Sequence, residues 1–118
     1  MTEKGDNMTD LKAYAKKIID YRNRNDFEHF FSCFDENLEF ITLEDNKVLV
    51  KGKDQLKQFI DETPHSMEVT WEIDEMVQMG NKLFTHERLR DFENHTSEYM
   101  FIYEFKDDRI KKAWYIDK

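Results

Sequence analysis

A chain of 118 residues has the length of one domain, and at that size folding removes roughly two-thirds of the unfolded surface from water, enough for a self-supporting core. The formal charge of −8 repels phosphate backbones and anionic lipid, so nucleic-acid or membrane-surface binding is excluded as the main role. The single cysteine, Cys33, excludes an internal disulfide, and with neither an apolar leader nor a long apolar run the chain is expected in the cytoplasm. Ten Phe, five Tyr and two Trp predict an aromatic core, and rings of that size also wall cavities without filling them.

Residues 1–9 are polar and read as a flexible tail on one domain that spans 1–118. Leu11, Tyr14, Ile18 and Tyr21 recur at helical spacing and predict a first helix over 10–23, with Lys12, Lys16, Lys17 and Arg22 on its solvated side. Asp26 is a good N-cap for a second, Phe-rich helix over 27–34. Cys33 lies beside that face as a small packed residue, because no basic neighbour in sequence activates it. Leu38–Leu43 and Val48–Val50 read as two short strands, and Gly52 leads into a third helix over 54–62 that Pro64 stops.

From Met67 the period changes to two. Met67, Val69, Trp71, Ile73, Val77 and Met79 share one parity in a long strand, with a bulge or bend expected at Glu75 and Met76. Gly80-Asn81 turns the chain into a strand in which Phe84, His86, Arg88 and Arg90 alternate with Leu83, Thr85, Glu87 and Leu89. Tyr99, Phe101, Tyr103 and Phe105 line one face of the next strand. Asp107-Asp108 makes the last turn, and the final strand sets Ile110, Trp114 and Ile116 against Ala113 and Tyr115. Three helices with a strand and a hairpin among them, followed by a bent antiparallel meander, predict an α+β cone with helices closing the open side of a curled sheet.

The order of five segments resembles the nuclear transport factor 2-like superfamily, in its SnoaL-like and ketosteroid-isomerase-like branch. Tyr21–Phe27 is similar to that family's helix break, Phe34–Phe40 to its first strand entry, and Val50–Asp54 to its Gly-led third helix. Phe105–Ile110 and Trp114–Asp117 look like its closing hairpin. The resemblance covers Leu11 to Asp117. It implies a cone-shaped, cystatin-like fold, a pocket between helices and sheet, and a homodimer packed through the sheets. The family hosts isomerases, dehydratases, epoxide hydrolases, cyclases and binding domains, so fold alone leaves function open.

Two of those chemistries find no match. The resemblance puts Ile18 where a ketosteroid isomerase has its tyrosine and Ile41 where it has its base, and isoleucine neither moves a proton nor donates to an oxyanion. In the epoxide-hydrolase pattern, Arg88 matches the arginine, but Arg90 and Trp114 replace the two carboxylates. The remaining candidate ligand-binding set is Arg88, Arg90, Trp114, Tyr103, Phe84 and Ile41, with the two guanidinium forks suited to a ligand carboxylate. An ion pair of Arg88 or Arg90 with Glu39 is the structural alternative, and a one-residue slip in register sends the whole set to solvent. His86 and Glu39 are the candidate bases if the protein is an isomerase, dehydratase or cyclase. His29, His65 and His95 read as surface or helix-end residues. No Cys/His spacing suggests a metal site, and no cofactor is expected. The leading expectation is therefore a homodimeric domain binding a small apolar or amphipathic molecule. An enzyme and a protein-interaction domain are the alternatives.

Overall fold

The computed structural model describes residues 10–117, so the expected tail lies outside the described residues. Helix α1 spans Leu11–Asn23, and the Asp10 side chain caps it by accepting from the Ala13 N–H. Its buried stripe is Leu11, Ala15, Ile18 and Arg22, one residue every turn. Asn25 takes a left-handed conformation, and Asp26 then caps α2, Phe27–Ser32. The expectation that this helix runs to Phe34 fails. The chain is already extended at Phe34, where β1 (Phe34–Thr42) begins, and the Ile110 N–H donates to the Cys33 carbonyl to hold the switch.

Strand β2 is Val48–Lys51. Gly52, at φ +87°, gives the left-handed entry to α3, Lys53–Glu62. A short 3-10 turn, Ser66–Glu68, occupies the expected start of the long strand, so β3 is Thr70–Met79. Strands β4 (Lys82–Arg90), β5 (Thr96–Lys106) and β6 (Arg109–Asp117) complete a meander.

The six strands form one sheet in the order β2-β1-β6-β5-β4-β3, with β1 parallel to β6 and every other pair antiparallel. All three helices cover one face of this curled sheet: α1 packs on β3, α2 on α1 and β1, and α3 on β1 and β2. Leu11, Ile18, Phe34, Leu38, Leu83, Phe105 and Ile110 form the centre of the core between the layers. The α+β architecture expected from the periodicities is thus the one observed.

Parity within the sheet decides which side chains reach that core. The register of β3 on β4 shifts between Ile73 and Glu75, so the bulge falls at Asp74, ahead of the expected Glu75 and Met76. Beyond it, Met76 packs on the core, whereas Val77 and Met79 are 57% and 64% exposed. On β4 the buried residues are Leu83, Thr85 and Glu87, so Phe84, His86, Arg88 and Arg90 project from the opposite, uncovered face.

Candidate functional site

Cross-strand partners place Thr85, Glu87, Tyr99 and Tyr103 on the helix-covered face of β4 and β5. Glu87 is 1% exposed. Its Oε2 accepts from the Thr85 hydroxyl at 2.6 Å and from the Tyr103 hydroxyl at 2.7 Å. Burial pushes the Glu87 carboxyl above its ordinary value, and the two hydroxyl donors oppose that only in part. Tyr103 is pushed well above the ordinary tyrosine value, first by burial and then by the neighbouring carboxyl, so it stays a donor.

Two adjoining cavities lie between this face and the helices. The first, of about 140 Å³, is bounded by α1, α2, α3 and the sheet, and Glu87 and Tyr103 stand in a wall otherwise made by residues such as Ile18, Phe34, Phe40, Trp71 and Phe105. The second, of about 290 Å³, reaches the 3-10 turn at Ser66 and is lined by Val50, Val69, Leu89, Tyr99, Phe101 and Tyr115 among others. Arg22, Phe40, Phe59, Ile60 and Trp71 border both.

Arg22 is the cation of this wall. It is 8% exposed, its Nη2 donates to the Ser66 carbonyl at 2.9 Å, and its guanidinium lies over the Phe27 ring at 5.3 Å. Its Nη1 is buried without a hydrogen-bond partner, and burial lowers its proton affinity. The expectation that Arg22 belongs to the solvated face of α1 is corrected. It continues the spacing Leu11, Ala15, Ile18 by one more turn, a signal present in the sequence once Ala15 is counted on the stripe.

The residues singled out from sequence fall in different places. Tyr103 borders the first cavity. Arg88 makes a bidentate pair with Asp74, at 2.8 and 3.0 Å, and also meets Glu72, while Arg90 meets Glu72 at 3.5 Å. Both arginines therefore pair on the outer face with acids of β3, not with Glu39, and neither borders a cavity described above. His86 joins the same outer cluster through Glu98 at 2.9 Å and Asp74 at 3.7 Å.

Phe84 and Trp114 lie in one cross-strand row with Ile102, also on the outer face. Ile41 is buried next to Trp114 in the parallel β1–β6 pairing, and Glu39 stands opposite Lys112 and Lys51 in register. The physical reason for the inversion is the chemistry of neutralisation. A carboxyl enters an apolar interior by taking a proton, whereas a guanidinium stays charged, so the row carrying one acid turns inward and the row carrying two arginines turns out. Among the described residues, no group of three or more His, Cys, Asp or Glu could hold a metal ion.

The SnoaL-like domain model matches residues 15–113, and the chain belongs to that family. Solved structures agree on the fold. An NTF-2 like protein of unknown function from Burkholderia xenovorans is similar at TM-score 0.77 and 12% identity, covering 92% of this chain and 82% of its own. A Cytophaga hutchinsonii NTF2-like protein of unknown function gives TM-score 0.67 at 24% identity, covering 90% of this chain and 97% of its own. A cystatin fold protein from Novosphingobium aromaticivorans gives 0.73 at 16% identity, with 88% and 95% covered. No curated protein matches the chain. Among the described residues, no helix is long and apolar enough to cross a membrane.

Proposed function

We propose that this SnoaL-like domain binds a small apolar or amphipathic molecule in the paired cavities beneath its helices. The observation that carries this is a polar cluster, Glu87 with Thr85 and Tyr103, buried in the wall of an otherwise apolar and aromatic hollow. Binding sites commonly have this form: an apolar body is desolvated by the walls, and a few fixed polar groups orient it. Because Oε2 already accepts two hydrogen bonds, a neutral Glu87 carries its proton on Oε1 and offers it to a ligand carbonyl or hydroxyl. A thermal-shift series with short-chain and aryl-substituted alcohols, ketones and acids tests the proposal. Stabilisation of the wild type, lost when Ala15→Trp fills the first cavity, is the expected result. Equal shifts in the two proteins would count against the cavity as the site.

The same cluster supports a second reading as an enzyme. A proton held on a buried carboxyl next to a tyrosine hydroxyl suits donation to an oxygen that gains charge in an isomerisation or dehydration. In that case Glu87, rather than His86 or Glu39, is the acid, and Glu87→Gln abolishes turnover while leaving binding of the same molecule intact.

We also infer that a second copy of the chain covers the outer face of the sheet. Its support is the family's fold together with the apolar row that crosses that face, described below.

A further inference from the structure

The interior carries a charge imbalance. Arg22 is the one cation among the residues that border either cavity, and it forms no ion pair among the described residues. The sole acid bordering either cavity is Glu87, whose carboxyl burial holds toward the neutral form. A protein with a formal charge of −8 thus encloses a cavity wall of opposite sign. A buried cation without an anion is costly to keep, and a ligand that brings the anion removes that cost.

We propose that the cavities take a monoanionic carboxylic acid with an apolar body, and that Arg22 is the group that anchors its carboxylate. This rests on the cavities being a binding site, as argued above. The charge count favours a monoanion over a phosphate dianion, because only one guanidinium is present and one of its nitrogens is already committed to the Ser66 carbonyl. The position of Arg22 between the two cavities places the head group at their junction. An acyl or aryl body of that acid then fills the apolar cavity toward Phe30, Phe34 and Phe105, or the larger one toward Phe101 and Tyr115. Neither Arg88 nor Arg90 takes part, since both are satisfied by acids on the other side of the sheet.

Two matched pairs test this by isothermal titration calorimetry on the full chain: 4-phenylbutanoate with 4-phenylbutanol, and decanoate with decanol. The wild type is expected to bind the acid of at least one pair about tenfold more tightly than its alcohol, the size of one charge-assisted hydrogen bond. Arg22→Met is expected to lose that preference, read as the ratio of acid to alcohol affinity within the variant itself. Arg22→Gln retains an N–H for the Ser66 carbonyl and serves if the methionine variant does not fold. It is expected to lose the preference too, and Arg22→Lys to keep part of it.

Equal affinity for acid and alcohol in the wild type overturns the anchor while leaving the cavities as a binding site. So does an acid preference that survives in Arg22→Gln. Failure of both members of both pairs to bind overturns the cavity assignment as well.

Discussion

Glu87 reaches the interior at the expense of its charge, and that has a consequence for stability. Its folded-state value is raised above the ordinary 4.5 by burial, so between those two values the folded chain holds a proton that the unfolded chain has lost. The contribution of this group to stability is full below the ordinary value and disappears as pH rises through the raised one. Glu87→Gln keeps an acceptor for the Thr85 and Tyr103 hydroxyls and does not titrate. Urea unfolding of both proteins across pH is therefore expected to show wild type losing ground to Glu87→Gln from about pH 4.5 upward, by at most about 1.4 kcal/mol per pH unit. A difference that stays level from there into the neutral range would show that Glu87 is ionised in the folded state.

The Tyr103→Phe substitution removes one of two donors to a buried oxygen, and is expected to cost about 1–3 kcal/mol in the same measurement. Arg88→Ala, by contrast, removes a partly exposed pair and is expected to leave the urea midpoint close to that of wild type.

Helix α1 is fastened to the edge strand β3 at both ends. The Leu11 N–H donates to Gln78 Oε1 at 3.1 Å. Twelve residues on, the Asn23 amide both donates to the Trp71 carbonyl and accepts from the Trp71 N–H, each at 2.8 Å, as a neighbouring strand would. Because this pair sets the height of α1 above the sheet, it also sets the cavity in which Arg22 stands. Asn23→Ala is expected to lower the free energy of unfolding by about 1–3 kcal/mol, read as a lower urea midpoint at unchanged slope. Asn23→Asp is expected to be no milder, since it loses the Nδ2 donor and faces a carboxylate to the Trp71 carbonyl.

The elements themselves were legible from period and punctuation: the helical spacing of α1, the cap at Asp26, Gly52 before α3, and the period of two through β3, whose first expected residues form a 3-10 turn instead. The α2–β1 junction was not, because Phe34 suits a helix face as well as the core face of a strand and only its pairing with Ile110 decides. Nor was the bulge at Asp74 located from the pattern Ile73-Asp74-Glu75-Met76, where one extra residue fits at more than one position. That ambiguity bears on the site, because on β4 both alternating sets mix polar and apolar residues. Pattern alone did not separate the row of Glu87 from the row of Arg88, and a one-residue change of parity exchanges them.

The sheet leaves its outer face uncovered by any described helix, and the registers reveal what lies there. Val77, Phe84, Ile102, Trp114 and Ile41 stand side by side on five successive strands, an apolar row across the sheet. Next to it runs a row of alternating charge, Lys82, Glu104, Lys112, Glu39 and Lys51, and on its other side lie His86, Met100 and Ile116. Val77 and Met100 are more than half exposed. A face of this kind, an apolar band bordered by charges of both signs, suits a twofold contact in which each copy sets its band on the other's and pairs its charges at the rim.

If a second copy sits there, wild type should sediment at twice the 14.5 kDa chain mass at micromolar concentration. Ile102→Glu puts a charge in the middle of the band and should shift the protein to monomer. Because Ile102 points away from the cavities, the monomer should still bind the alcohols that the wild type binds, which separates loss of assembly from loss of fold. A wild type that stays monomeric at those concentrations would remove the homodimer, and the band would then have to be explained by a different partner.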